Sequence, residues 1–257
     1  MTIDVLCPVY WIDELLFKKN IKSWFRELPL ARVLLGINNK EISEYVWDLC
    51  KKYENIEVIE QYDFKTLGGC LAGLMKRVET DWFAYLHSDA FLSPYLFSIM
   101  REYMKDDIGI IESERFHWKG EPRFDYHNFY HNDRAFSGFQ LFRTKIIKEL
   151  VNKIDDDYIY RNEDLIFQSE CVKQGYKYVK TLAMHVHQNF NGEWTHDREK
   201  TNEMQWKGLI KYAVPNEITI KAFLTSVKAS KELRLKDFYD FAKQENEDWC
   251  EVILEGW

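Results

Sequence analysis

A histidine and an acid follow the apolar segment 82–86 directly, in the order His87-Ser88-Asp89. Such a segment predicts a buried strand, and open α/β sheets bind ligands beyond the carboxyl ends of their strands. The carboxylate of Asp89 is the hard oxygen ligand that Mg²⁺ or Mn²⁺ requires, and His87 could add a softer nitrogen. The motif therefore predicts a metal and diphosphate site. The alternative is that Ser88 and Asp89 cap a following helix.

A pair of acids, Glu163 and Asp164, opens a second predicted element. Asn162 is typical of a helix N-cap, and Gly175 of the residue that ends a helix. Backbone N–H groups and the positive end of the helix favour ionised carboxylates here. An ionised carboxylate can accept the proton of a hydroxyl, so the pair is a candidate general base. Simple capping of the helix is the alternative.

Two histidines, His185 and His187, end a strand predicted to begin at Tyr176. Alternate residues of a strand point the same way, so both imidazoles could face one site. We expect one of them to join Asp89 in binding the metal. The alternative is an ordinary pair of partly buried histidines.

Gly68 and Gly69 stand at the start of a helix predicted over 67–78. Two glycines allow close approach to a backbone, and a helix N-terminus attracts a diphosphate. Gly-Gly also marks any tight turn, which is the alternative interpretation.

These residues are positioned by a regular alternation of apolar runs and helical patterns. Strands are predicted over 3–9, 32–37, 56–59 and 82–86, with helices over 11–28, 41–53 and 67–78 between them. This order predicts a parallel sheet with right-handed crossovers. Further helices are predicted over 94–104 and 145–151, and strands over 109–112 and 136–142. Segment 115–134 has no periodicity and predicts a long loop, which inside a compact domain is usually functional or mobile.

Length and charge limit the remaining possibilities. The 257 residues suit one α/β domain over 1–190 and a helical C-terminal appendage over 191–257. The net charge of −7 argues against nucleic acid as a partner. No uncharged apolar run approaches the roughly 18 residues of a membrane helix. The five scattered cysteines fit reduced thiols, so we expect a cytoplasmic protein, either free or resting on a membrane surface.

The order of these motifs over about residues 3–190 resembles the GT-A glycosyltransferases. It is most similar to the large inverting family that includes cellulose and chitin synthases. Cys7-Pro8-Val9-Tyr10 resembles that family's first-strand segment near the nucleotide base, and His87-Ser88-Asp89 stands at the position of its Asp-x-Asp. Segment 136–143, which contains Gly138, resembles the strand beneath the sugars. Asn162-Glu163-Asp164 resembles its Glu-Asp segment.

The resemblance implies a GT-A (Rossmann-like), mostly parallel central sheet flanked by helices, with a helical C-terminal extension. It implies transfer of a hexose from a nucleotide-diphosphate donor, with a UDP-sugar favoured, to a hydroxyl of a glycan, lipid-linked or protein acceptor, with inversion by single displacement. Asp164 would be the catalytic base beside Glu163, and Asp89 would bind Mn²⁺ or Mg²⁺ with His185 or His187. The implied donor-binding residues are Pro8, Val9, Tyr10, Asn38, Gly68, Gly69, His87, Ser88, Asp89 and Gly138.

Two positions depart from the family pattern and keep other hypotheses open. His87 replaces the first acid of Asp-x-Asp, and Asn38 stands where the family commonly has an acid near the base and ribose. They motivate the alternative of a nucleotide-sugar-binding protein with a degenerate site. A retaining GT-A transferase is a further alternative. A nucleotidyltransferase would need a Gly-rich basic loop after the first strand, and Tyr10-Trp11-Ile12-Asp13 is not one.

Overall fold

The computed structural model describes residues 1–10, 12, 14–63, 67–118, 129–131, 138–154, 163–187, 198–228 and 235–255. Its first half alternates strands and helices: β1 Ile3–Val9, α1 Glu14–Glu27, β2 Leu30–Ile37, α2 Ser43–Cys50, β3 Ile56–Glu60, α3 Leu67–Met75 and β4 Trp82–Leu86. The four strands pair in parallel in the order β3-β2-β1-β4, as the sequence predicts. All residues of β1 and β4 are buried, and apart from Asp4 both strands are runs of apolar residues.

The second half adds five strands to the same sheet: β5 Ala90–Leu92, β6 Ile108–Trp118, β7 Phe129–His131, β8 Phe139–Arg143 and β9 Lys177–His187. Three helices lie between them along the chain: α4 Leu96–Arg101, α5 Thr144–Val151 and α6 Glu163–Lys173. The order across the sheet is β3-β2-β1-β4-β8-β6-β9-β5, and β7 pairs with β6 alone. β8 is antiparallel to β4 and β6, β5 is antiparallel to β9, and β9 is parallel to β6. Beyond β4 the sheet is therefore mixed, and the parallel pairing predicted from the alternation of strands and helices applies to its first four strands.

The aperiodic segment 115–134 also differs from its prediction as a loop. Residues 115–118 extend β6, and β7 pairs with them in the register Phe116↔His131 and Trp118↔Phe129. Backbone pairing needs no period-two pattern of side chains, so the sequence carried no sign of this ladder. Residues 119–128 and 132–134 lie outside the described residues, as do the predicted N-cap Asn162 and residues 136–137.

The C-terminal part is helical, as predicted, with α7 Arg198–Tyr212, α8 Glu217–Lys228, α9 Leu235–Glu245 and α10 Asp248–Glu255. Trp206 and Trp249 of these helices belong to the same hydrophobic cluster as Phe83 and Phe142 of the sheet. Trp249 also donates a hydrogen bond to the Ala213 carbonyl at 2.8 Å. The helices therefore share a core with one face of the sheet, and the division at residue 190 stays a prediction. Among the described helices, none has the length and apolar character needed to cross a bilayer.

Candidate active site

Three of the predicted metal ligands meet at the ends of two strands. His87 and Asp89 follow β4, and His187 is the last residue of β9. His187 Nε2 lies 3.1 Å from His87 Nδ1 and 3.1 Å from Asp89 Oδ1, and one ligand atom from each residue lies within 4.8 Å of the others. Protein donors bind small divalent cations at about 2.1 Å, which places neighbouring donors about 3 Å apart. The spacing of these three atoms therefore fits a single divalent cation.

Pairing between β5 and β9 brings these ligands together. Ala90, directly after Asp89, is the register partner of His187. The backbone N–H of His87 donates a hydrogen bond to the Gly138 carbonyl at 2.9 Å.

Because Asp89 leads into strand β5 and helix α4 begins only at Leu96, the alternative that Ser88 and Asp89 cap a helix is wrong.

The surroundings of His87 and Asp89 set their protonation. Burial, together with the neighbouring His187, lowers the pKa of His87 to about 3. The imidazole is therefore neutral at pH 7, as a metal ligand must be. Burial raises the pKa of Asp89 to about 6, so that protons and a cation compete for this carboxylate below that pH.

Of the two histidines on β9, His187 is the one that joins the triad. His185 is fully buried, and its Nδ1 lies 2.8 Å from Ser113 Oγ, whose hydroxyl donates to the Phe139 carbonyl at 3.0 Å. Within the described residues, the metal-ligand group comprises His87, Asp89 and His187 without His185. Of the two histidines expected to complete the ligand set, His187 is therefore the one that lies beside His87 and Asp89.

Gly138 lies against both histidines. A Cβ atom at this position would stand 2.6 Å from His187 Cδ2 and 3.4 Å from His185 Nε2. The first distance is shorter than any normal contact, so only glycine allows β8 to pass this close to the imidazole. Contact with the donor, which the resemblance implies for Gly138, stays a prediction.

We expect Gly138→Ala to push the His187 ring out of the triad and to weaken Mn²⁺ binding at least about 10-fold. Isothermal titration of the metal-free protein with Mn²⁺ measures the effect. Gly109→Ala is the matched control, because its Cβ would stand 2.5 Å from Cys171 Sγ at the opposite end of the sheet. Equal Mn²⁺ affinities in the two variants would contradict the role of Gly138.

The two acids at the start of α6 are buried beside the triad. Glu163 Oε1 accepts a hydrogen bond from the Tyr85 hydroxyl at 2.9 Å, and Asp164 Oδ1 accepts one from the Leu165 N–H at 2.9 Å. Burial raises the pKa of Asp164 well above its usual value, and Glu163 raises it further. The helix end therefore does not hold the pKa of Asp164 low, since one backbone N–H does not outweigh burial and a neighbouring acid.

Two further residues at this site were not predicted from the sequence. Tyr85 Oη lies 2.9 Å from His87 Nε2 and donates to Glu163, so it joins the metal ligands to the acid pair. Glu112 of β6 is fully buried, which raises its pKa to about 8, and its charge raises the pKa of Asp164. Residues two apart along a strand point to the same side, which places Tyr85 beside His87.

The predicted donor-binding residues of the first half line one edge of the sheet. The strand order reverses between β1 and β4, which is where open α/β sheets bind ligands. Asn38 directly follows β2, and its Oδ1 is buried with no hydrogen-bond partner among the described residues. The others lie at the end of β1 (Pro8, Val9 and the exposed Tyr10), in the first turn of α3 (Gly68 and Gly69) and after β4 (Ser88).

No protein-family model matches this chain, and no curated protein matches it. Similar solved structures include S. aureus TarS 1–349, with 12% identity and a TM-score of 0.59 over 89% of this chain and 71% of that chain. Mannosyltransferase PcManGT from Pyrobaculum calidifontis, in complex with GDP-Man and Mn²⁺, has 10% identity and a TM-score of 0.56 over 98% and 84%.

A third similar structure is 4-diphosphocytidyl-2C-methyl-D-erythritol synthase from Anaerococcus prevotii. It has 14% identity and a TM-score of 0.51 over 71% of this chain and 89% of that chain. Likeness at such identities concerns the fold, which a glycosyltransferase and a nucleotidyltransferase share here. The mixed sheet flanked by helices, with its helical C-terminal part, has the GT-A fold.

Proposed function

We propose that this protein is a metal-dependent glycosyltransferase. It moves a hexose from a nucleotide-diphosphate donor, with a UDP-sugar favoured, to an acceptor hydroxyl, with inversion by single displacement. The observation that carries the proposal is the triad of His87, Asp89 and His187, in which His187 Nε2 lies 3.1 Å from a ligand atom of each of the other two. His87 and Asp89 follow β4, at the strand-order reversal of a GT-A sheet. The Tyr85 hydroxyl connects the triad to the buried acid pair, because it contacts both His87 Nε2 and Glu163 Oε1.

The triad would hold Mn²⁺ or Mg²⁺. The carboxylate of Asp89 suits either ion, whereas the two imidazole nitrogens favour the transition metal Mn²⁺ over Mg²⁺. A mannosyltransferase of similar fold is in complex with Mn²⁺. When bound, the cation supplies positive charge to the diphosphate that leaves the sugar. His87 in place of an acid therefore replaces one charged ligand by a neutral one and keeps the site able to bind metal.

Asp164 is the proposed general base. Its raised pKa makes the deprotonated carboxylate a stronger base than an exposed aspartate, which suits removal of a proton from a hydroxyl near neutral pH. Glu163 Oε1 already accepts a hydrogen bond from the Tyr85 hydroxyl, and the family resemblance implies the base role for Asp164. The acceptor is a glycan, a lipid-linked sugar or a protein.

The donor would lie along the carboxyl ends of β1, β2 and β4. The buried Oδ1 of Asn38 can accept a hydrogen bond from a base N–H, such as N3–H of uracil. Gly68 and Gly69, both buried in the first turn of α3, leave room for a diphosphate at a helix N-terminus. Pro8, Val9, Tyr10, Ser88 and Gly138 complete the proposed donor contacts.

Thermal unfolding with a panel of nucleotides tests the proposal. We expect at least one of UDP-glucose, UDP-N-acetylglucosamine and GDP-mannose to raise the melting temperature, and to do so only when Mn²⁺ is present. A ligand at 100 times its Kd stabilises the native state by about 2.7 kcal/mol, which is readily measured. CTP serves as the control for nucleotidyl transfer.

The outcomes separate the candidate functions. Stabilisation by CTP alone would favour a nucleotidyltransferase, and no stabilisation by any nucleotide would contradict the proposal. Stabilisation by a nucleotide sugar, with no release of nucleoside diphosphate when acceptors are added, would favour a binding protein with a degenerate site. The anomeric configuration of a transfer product, read by NMR, distinguishes inversion from retention.

A further inference from the structure

Tyr85 contacts the metal-binding triad and the acid pair with the same hydroxyl group. The side chain is fully buried, and a phenol has a single proton to donate. That proton goes to Glu163 Oε1, at 2.9 Å. The oxygen is then an acceptor toward His87 Nε2, also at 2.9 Å, so the hydrogen of a neutral His87 belongs on Nε2.

The consequence lies on the other side of the imidazole ring. With the proton on Nε2, Nδ1 carries a lone pair, and Nδ1 is the atom 3.1 Å from His187 Nε2 within the triad. A cation can bind only a nitrogen that has a lone pair, so the opposite tautomer of His87 would remove this ligand. Hydrogen bonds to the second ring nitrogen select the tautomer of metal-binding histidines in general.

We propose that Tyr85 and Glu163 are positioning residues that hold His87 as its Nε2–H tautomer and so direct Nδ1 to a divalent cation. The inference rests on the proposed function, because it presupposes that cation. It also changes the role of Glu163, which the sequence predicted to be catalytic beside Asp164. Glu163 instead acts through Tyr85 on a metal ligand.

The tautomer can be observed directly in the metal-free protein. Long-range ¹H–¹⁵N NMR of ¹⁵N-histidine-labelled protein distinguishes protonated from unprotonated ring nitrogens, and the His87 signals are assigned by their loss in His87→Asn. We expect a protonated Nε2 and an unprotonated Nδ1 in the wild type, and a mixture of tautomers in Tyr85→Phe. A protonated Nδ1 in the wild type would overturn the inference.

Mn²⁺ affinity, measured by isothermal titration, gives the second readout. Tyr85→Phe is expected to bind Mn²⁺ about 10- to 100-fold more weakly than the wild type. Glu163→Gln keeps an acceptor for the Tyr85 hydroxyl and should stay close to wild type, whereas Glu163→Ala should resemble Tyr85→Phe. Tyr62→Phe is the matched control, because Tyr62 also donates a side-chain hydrogen bond, at 2.8 Å to Ser43, away from the triad.

Failure of this inference differs from failure of the proposed function. If the wild type binds Mn²⁺ and Tyr85→Phe binds it as tightly as Tyr62→Phe does, the positioning role is overturned while the metal site stands. If the wild type binds no Mn²⁺, both are overturned. The Glu163 variants and the wild-type tautomer keep the test valid even where Tyr85→Phe does not fold.

Discussion

Replacement of Asp164 by asparagine is expected to reduce sugar transfer by roughly 100- to 10,000-fold, the usual contribution of a general base. Asparagine has nearly the same shape, and its Oδ1 can still accept from the Leu165 N–H. It cannot accept the proton of an acceptor hydroxyl. Donor binding should stay close to wild type, because the predicted donor contacts lie at the ends of β1, β2 and β4. Release of nucleoside diphosphate and the donor Kd measure the two effects separately.

Stability provides an internal control for Asp164→Asn. Asp164 has a higher pKa in the folded protein than in the unfolded chain, mainly because it is buried. Ionisation therefore favours the unfolded chain at every pH above the unfolded pKa, and the neutral amide should raise stability at pH 7. Asp107→Asn is the matched control for this stability measurement, because it makes the same replacement at an exposed acid that pairs with Lys177. Turnover of Asp164→Asn at the wild-type rate would exclude Asp164 as the base.

Asp89→Asn has the second large expected effect, a loss of at least about 100-fold in Mn²⁺ affinity. Residues that only support a metal ligand already contribute about 10- to 100-fold, and Asp89 is the one negatively charged member of the triad. The amide keeps an oxygen near His187 Nε2 but lacks the charge that attracts the cation. Isothermal titration with Mn²⁺ measures the loss, and nucleotide sugars should no longer stabilise this variant in a Mn²⁺-dependent way.

The control for Asp89→Asn is Asp48→Asn, because Asp48 is an exposed acid that pairs with Lys51 at 2.7 Å. It should bind Mn²⁺ like the wild type. Retention of wild-type Mn²⁺ affinity in Asp89→Asn would place any metal site elsewhere. It would also remove the observation on which the proposed function depends.

The first half of the fold and the approximate position of the site were predictable from the sequence. Buried parallel strands appear as largely apolar runs, so β1 to β4 were found with nearly correct bounds. The ends of such strands then indicated His87 and Asp89, because a sheet of this kind binds ligands there. His185 and His187 were both indicated by their place at the end of another predicted strand, and the sequence did not distinguish between them.

Properties that depend on tertiary contacts were not predictable. The antiparallel pairing of β8 with β4 joins segments more than fifty residues apart, and no local pattern records it. The pKa of Asp164 is raised by burial and by Glu163 and Glu112. Glu112 belongs to strand β6, about fifty residues before Asp164 in the sequence. Tyr85 resembled any other buried aromatic residue of a strand until the structure showed His87 and Glu163 on either side of its hydroxyl.

The pairing of β5 with β9 has a consequence for how the molecule folds. His187 contacts His87 across 100 positions of the sequence, so the third ligand joins the other two only after the β9 strand has docked. Contacts of such long range carry a large loop-closure entropy and tend to form late in folding. The proposed metal site is therefore absent from chains in which β9 has not docked, and a cation bound there would stabilise the completed sheet selectively.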